Sequence, residues 1–150
     1  MDINWSYKNK SRVFDTKENG GVPYLSFKAL DDTGLAVNGF STRMGGASRG
    51  KFSTMNFSYS RGDAAEDVLE NFTRMAAALG VERDRMVVSH QTHTVNLRRV
   101  TLEDAGKGVI RERDYRDIDG LITDVPGLTL VTFYADCVPL YLLDPVNRAI

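Results

Sequence analysis

Apolar and polar positions change period several times along this chain, and each change marks an element. The clearest is DAAEDVLENFTRMAAALG. Here Val68, Phe72, Met75 and Leu79 recur at helical spacing, with Leu69 and Ala76 beside them. Asp63 followed by Glu66 three residues on reads as a capping box, and Gly80 as a C-terminal stop. A helix is therefore expected over 64–79, with its apolar stripe on a sheet.

The other signals are short and strand-like. Residues Trp5 to Phe14 read as a strand, followed by the connection DTKENGG, in which Asn19-Gly20 is a hairpin-turn signal because both turn positions favour positive φ. VPYLSFKAL, LAVNGFSTR, RMVVSH, NLRRV, DGLITD, LTLVTFYAD and VPLYLL follow as further expected strands. LTLVTFYA is apolar nearly throughout, which predicts burial on both faces. LEDAGKGVIRERDYRD is charged and holds two glycines, so residues 101–117 are expected to form a mobile surface segment. No internal repeat or low-complexity linker interrupts the chain. Many strands with one long helix predict a mixed α/β (α+β) fold, mixed β-sheets packed with flanking helices, as a single domain over residues 1–150.

Composition narrows the function classes. With 150 residues the chain can bury a real core. Its 19 basic and 20 acidic residues leave a net charge of −1, which argues against a nucleic-acid polymer or an anionic membrane as partner. No run approaches about 18 apolar residues, so no membrane-spanning helix is expected. The N-terminus lacks the apolar core of a signal peptide, and a single cysteine forms no internal disulfide; both fit the cytoplasm.

Four places carry candidate chemistry. Cys137 sits in FYADCVPL, after an apolar run and before Pro139, which has no N–H to continue a ladder. Such a break can present a thiol at a strand end, although a lone cysteine also serves as a small core residue. His90 and His93 in SHQTHTV are the only histidines. Their odd spacing would put them on opposite faces of a continued strand, so one is a candidate ligand or base and the other structural. Gln91 between them offers an amide to a substrate. In GFSTRMGGASRG, Arg43 ahead of Gly45 and Gly46 could hold an anion such as phosphate, or the loop could be a plain turn. Asp119, opening DGLITD, is either a turn residue or a carboxylate aimed at the Cys/His region.

Taken in order, GFSTRMGG, GDAAEDVLENFTRMAAALG, HQTHTV, DGLITD and YADCVPLYLLD resemble one family over roughly residues 22 to 150. It was long labelled multicopper polyphenol oxidase, or laccase domain. Its members are described as purine nucleoside phosphorylases with adenosine deaminase activity, and some bacterial members as peptidoglycan editing factors. The resemblance implies that His93, in the family's Gln-x-His motif with Gln91, is a first metal ligand. It implies that Cys137, in Ala-Asp-Cys-x-Pro with Asp136, is a second. The family's third ligand, a histidine in His-[Ala/Ser]-Gly-Trp-Arg-Gly, would follow Asp144-Pro145, and the 150 residues end before it. Ile118 replaces the alanine of the Ala-Asp-Gly motif around Asp119 and Gly120. Arg43 matches the arginine of the family's Arg-x-Gly-Gly loop, with Gly45 and Gly46 behind it.

These matches imply an N-terminal portion of a longer domain of roughly 250–280 residues. They imply a cytoplasmic, zinc- or copper-dependent enzyme, monomeric or homodimeric. It would phosphorolyse adenosine, inosine, guanosine or methylthioadenosine and deaminate adenosine, with nucleoside and phosphate as its partners. Arg43, Gly45, Gly46, Gln91, Asp119 and Asp136 would bind substrate, and His93 and Cys137 would carry metal and catalysis. A cysteine hydrolase or amidase in peptidoglycan precursor editing, with Cys137 as nucleophile and His93 as base, is one rival. A non-catalytic fragment is another. Multicopper oxidation is disfavoured, because one cysteine and two histidines are too few donors for several coppers.

Overall fold

The computed structural model of the chain describes residues 12–150. Strands β1 (Phe14–Asn19) and β2 (Val22–Phe27) form an antiparallel hairpin in which Asn19 faces Val22. The two turn residues are Gly20 and Gly21, at φ 58° and 78°. Both lie in the left-handed region, as a two-residue hairpin turn requires. A turn this short brings DTKEN, expected as connection, into the ladder. Residues 5–11 of the strand expected over Trp5 to Phe14 lie outside the described residues. β2 continues into a four-residue helix α1 (Lys28–Asp31). The third strand, β3 (Phe40–Ser41), is shorter than expected and pairs with β2. Asn38 accounts for the difference: its Oδ1 accepts the Phe27 N–H at 2.6 Å, a role the backbone would otherwise fill.

Helix α2 (Ala65–Leu79) buries Val68, Asn71, Phe72, Met75, Ala76 and Ala78 and ends at Gly80, φ 71°. The expected stripe faces inward and serves two clusters. Met75 and Ala78 meet Val22, Tyr24 and Met55 of the hairpin side, with Leu79 against them. Val68, Phe72 and Ala76 meet Met86, Val88 and Val109. The expected capping box is not formed. The N-cap position is Ala64, with no side-chain cap. Asp63 instead accepts from Ser48 Oγ and Asn56 Nδ2, tying two loops together, so the long-range bonds outcompete the local cap. Glu66 and Asp67 still place negative charge in the first turn, where the helix dipole favours it.

Two parallel pairs complete the domain. β4 (Met86–Val88) pairs with β7 (Thr129–Val131), and β5 (Leu97–Arg99) with β6 (Gly120–Ile122). The long apolar run is strand only over those three residues of β7, which are half-buried, and Phe133 is exposed. VPLYLL forms no strand: Val138, Leu140 and Leu142 are 87%, 74% and 72% exposed. Pro139 denies the segment a ladder donor, and its contact with β2 is through side chains, Tyr141 packing edge-on against Phe27 with ring centroids 5.0 Å apart. An apolar sequence becomes a strand only where a neighbour accepts its backbone bonds.

The charged segment 101–117 is built into the protein, contrary to the expectation of a mobile surface. Asp104, Lys107, Val109 and Tyr115 are buried. Asp104 accepts from Lys107 Nζ at 2.7 Å, Arg98 Nη2 at 3.0 Å and the Thr101 N–H at 3.0 Å. Lys107 also reaches Asp114, the Arg98 guanidinium lies over the Tyr115 ring, and Tyr115 OH donates to the Val88 carbonyl. The two buried charges of this segment, Asp104 and Lys107, each have a partner, which is the condition for burying charge at all, while the Arg98 Nε is buried without one. Burial pushes the Asp104 carboxyl up, but the donors of Lys107, Thr101 and Arg98 outweigh it and hold the pKa at about 2. The folded value lies below the ordinary 3.8. The associated stability is therefore present above pH 3.8 and is lost as pH falls towards 2, to the extent of about 2 kcal/mol. Urea titrations between pH 5 and 2 are expected to show this loss. Asp104→Asn should be less stable at pH 5 and have a shallower acid slope; an unchanged slope would mean that Asp104 is not the titrating group.

Candidate functional site

Because β4 and β7 are parallel neighbours, their C-terminal ends leave the sheet at the same edge. The segments that follow, residues 89–93 and 132–137, therefore emerge together. This is the edge at which open α/β sheets build their sites. The result is a contact across 44 residues of sequence: Cys137 Sγ lies 3.9 Å from His93 Nδ1, and both side chains are solvent-accessible.

The two histidines separate in role. His90 exchanges both backbone hydrogen bonds with Ile118, and its Nδ1 accepts the Asp117 N–H at 3.1 Å. Its proton consequently sits on Nε2, and the ring is engaged away from Cys137. His93 follows in a left-handed conformation, φ 65°. The chain reverses there, so the faces diverge through a turn and not through a continued strand.

Asp119 stands behind that turn. Its carboxylate accepts the N–H groups of Thr92 (3.3 Å), His93 (2.7 Å) and Thr94 (2.9 Å), and the Thr94 hydroxyl (2.8 Å). Desolvation pushes this carboxyl up, yet the donors of Thr94, Thr92 and His93 prevail and hold it at about 2. Asp117 adds a second tie, accepting Thr92 Oγ1 at 2.9 Å. Gln91 is half-buried and Asp136 exposed; among the described residues neither side chain has a hydrogen-bond partner.

Arg43 lies beyond β3 and is exposed, with one guanidinium bond to the Ser53 carbonyl at 3.1 Å. Its own carbonyl accepts from the N–H groups of Thr54 and Met55. The loop amides of Met44, Gly46, Ala47 and Ser48 are bonded within the protein, to Thr42 Oγ1, Thr54 Oγ1, Asn71 Oδ1 and the Thr54 carbonyl. A Cβ on Gly46 would stand 2.0 Å from the Thr54 carbonyl oxygen, so close backbone packing accounts for that glycine. The guanidinium remains the loop's group for an anion. Phe40, just before Arg43, stacks on Tyr134, just before Cys137, with ring centroids 6.5 Å apart. The strand that leads to Arg43 and the segment that leads to Cys137 are thus in contact through these two rings.

Sequence reasoning missed Asn71. It is wholly buried, donates to Ser48 Oγ (2.8 Å) and the Asn56 carbonyl (2.7 Å), and accepts the Ala47 N–H (2.6 Å). The available signal was an amide at a stripe position, next to Phe72 and three residues after Val68.

Tetrahedral zinc with one sulfur and one imidazole ligand needs those atoms about 3.6 Å apart. The observed 3.9 Å fits within a small side-chain adjustment. Among the described residues no third His, Cys, Asp or Glu completes a metal-holding group.

A family model described as multi-copper polyphenol oxidoreductase laccase matches residues 37–150. The chain belongs to this laccase-like family. Within it, the chain is 37% identical over 114 residues to purine nucleoside phosphorylase YlmD of Geobacillus stearothermophilus, covering 73% of the chain and 40% of that protein. It is 32% identical over 118 residues to YlmD of Bacillus subtilis, covering 76% and 41%. The crystal structure of the Geobacillus YlmD superposes with a TM-score of 0.78 at 33% identity, over 91% of this chain and 50% of that one. Bacillus licheniformis YfiH, described as a hypothetical protein, superposes at 0.77 with 29% identity, covering 89% and 49%. The chain spans about two-fifths to one-half of the length of these relatives. The laccase-like chain shares their mixed α/β fold, and among its described residues no helix is long and apolar enough to cross a membrane.

Proposed function

We propose that this laccase-like chain carries part of the active site of a metal-dependent purine nucleoside phosphorylase. The observation behind the reading is the His93–Cys137 contact at 3.9 Å, made by two motifs that are remote in sequence. The names of the relatives point to the same activity. In phosphorolysis a phosphate oxygen bonds to the ribose C1′ as the C1′–N9 bond breaks, and the purine leaves with a proton. The exposed Arg43 guanidinium is suited to orient phosphate, as a bidentate partner for its oxygens. The unpartnered amide of Gln91 suits the purine edge. A zinc ion held by His93 and Cys137 would supply Lewis acidity and a bound water with pKa about 7. Adenosine deamination and phosphorolysis of methylthioadenosine belong to the same proposal.

A second reading draws on the same contact. An exposed thiol beside an imidazole also suits a cysteine hydrolase or amidase, with His93 as base.

Inosine and phosphate, with hypoxanthine release followed alongside zinc content, separate the two. On the natural polypeptide carrying this sequence, Cys137→Ser is expected to cut turnover more than about 100-fold and to lose zinc with it, because a serine hydroxyl stays protonated and is a poor zinc ligand. Undiminished turnover would reduce the thiol to a packing residue. Hypoxanthine release that survives chelation but not Cys137→Ser would mean that the thiol acts without a metal, and no release from the zinc-loaded protein would favour the hydrolase reading. The 150 residues alone offer two donors where catalytic zinc takes three, so weak zinc binding and no turnover are expected of them.

A further inference from the structure

We infer that Asp119 is the positioning residue for His93, holding the turn that turns its imidazole to Cys137. The inference rests on the His93–Cys137 pair being the functional one, as proposed above. Three successive N–H groups, of Thr92, His93 and Thr94, converge on one carboxylate. Such a concavity of amides is an anion site, and here the protein's own carboxylate fills it. The turn it holds contains a histidine at φ 65°, a conformation that a residue with a Cβ keeps only where its surroundings enforce it. Asp119 is well placed to enforce it. It opens β6, and its own N–H donates to the Asn96 carbonyl at 3.1 Å, so the carboxylate projects from the paired β5–β6 ladder. Occupied in this way, Asp119 acts on a substrate only through His93, which revises its expected part in substrate binding.

The test needs no turnover. Zinc affinity of the natural polypeptide carrying this sequence is measured by competition with a chromophoric chelator for the unaltered protein, Asp119→Ala, His93→Ala and the double variant. Metal-free NMR of the His93 backbone reports whether φ stays left-handed. Groups that orient a metal ligand typically cost 10–100-fold in affinity when removed, so Asp119→Ala is expected to weaken zinc about tenfold and to move His93 out of the left-handed region. The double variant should bind no more weakly than His93→Ala, since Asp119 has nothing left to position. Unchanged affinity in Asp119→Ala, or losses that add in the double variant, would overturn the inference. Unchanged affinity in His93→Ala would instead overturn the metal reading and take the inference with it. Should Asp119→Ala not fold, Asp119→Asn carries the same comparison, because it keeps the size and one acceptor but turns a donor towards the amides.

Discussion

Phe72→Ala is expected to lower the unfolding free energy by about 3–5 kcal/mol. The Phe72 side chain is 1% exposed and touches three other rings: Phe57 at 5.0 Å, Tyr59 at 6.1 Å and Phe133 at 6.5 Å between centroids. It sits in the cluster where α2 meets β4, with Val68, Ala76, Met86, Val88 and Val109. Removing the ring costs its transfer out of water and leaves a cavity that a helix pinned at both ends closes poorly. A domain of this size has about 5–15 kcal/mol in total, so the variant would sit near its unfolding threshold at ambient temperature. Phe133 leads from β7 towards Cys137, so the loosened cluster also reaches the segment that carries the thiol. Urea unfolding followed by circular dichroism checks this, with Leu69→Ala, a half-buried position on the same helix, as the milder reference. A loss under about 1 kcal/mol would mean that the ring cluster repacks freely.

Asn71→Ala should cost about 3 kcal/mol, although it removes only a small amide. The Ala47 N–H, the Asn56 carbonyl and Ser48 Oγ would each lose a partner in a place without room for bulk solvent. A buried group left unpaired costs more than the bond was worth, which places this effect beside that of the ring. It also has an address. Ala47 follows the glycine loop behind Arg43, and Asp63, Ser48 and Asn56 share the network. Amide exchange at Ala47 should accelerate together with the fall in stability. A protected Ala47 amide in a variant of unchanged stability would show that other groups hold the loop. Asn71→Asp keeps the acceptor for Ala47 but buries a carboxylate with an oxygen against the Asn56 carbonyl, so it should cost at least as much as Asn71→Ala.

Much of the site was legible as residue types. A histidine pair and a lone thiol stand at the ends of apolar runs, the family resemblance selects His93 from the pair, and His93 and Cys137 are in contact. His90 was set apart by its odd spacing and is engaged elsewhere, through a turn at His93 that the spacing did not reveal. Arg43 stood out beside glycines, but the reason for Gly46 is the Thr54 carbonyl against it. Asp119 reads from the sequence as either a turn residue or a carboxylate aimed at the Cys/His region; that it meets the backbone amides of residues 92–94 depends on a bend that only the fold imposes.

What the sequence by itself determined is whatever depends on near neighbours. The stripe on α2 follows from the 3.6-residue period, and its end from a glycine free to take φ 71°. The β1–β2 turn follows from two adjacent glycines with no Cβ to resist positive φ. Tertiary structure decided everything in which a group had a choice of partners. Asp63 left its helix for Ser48 and Asn56, the charges of 101–117 found one another and went inside, and VPLYLL met β2 through the Tyr141 ring and not through a ladder. The His93–Cys137 contact belongs with these. It exists because β4 and β7 lie parallel and in register, an alignment set by packing across the core, for which no local stretch of chain carries the information.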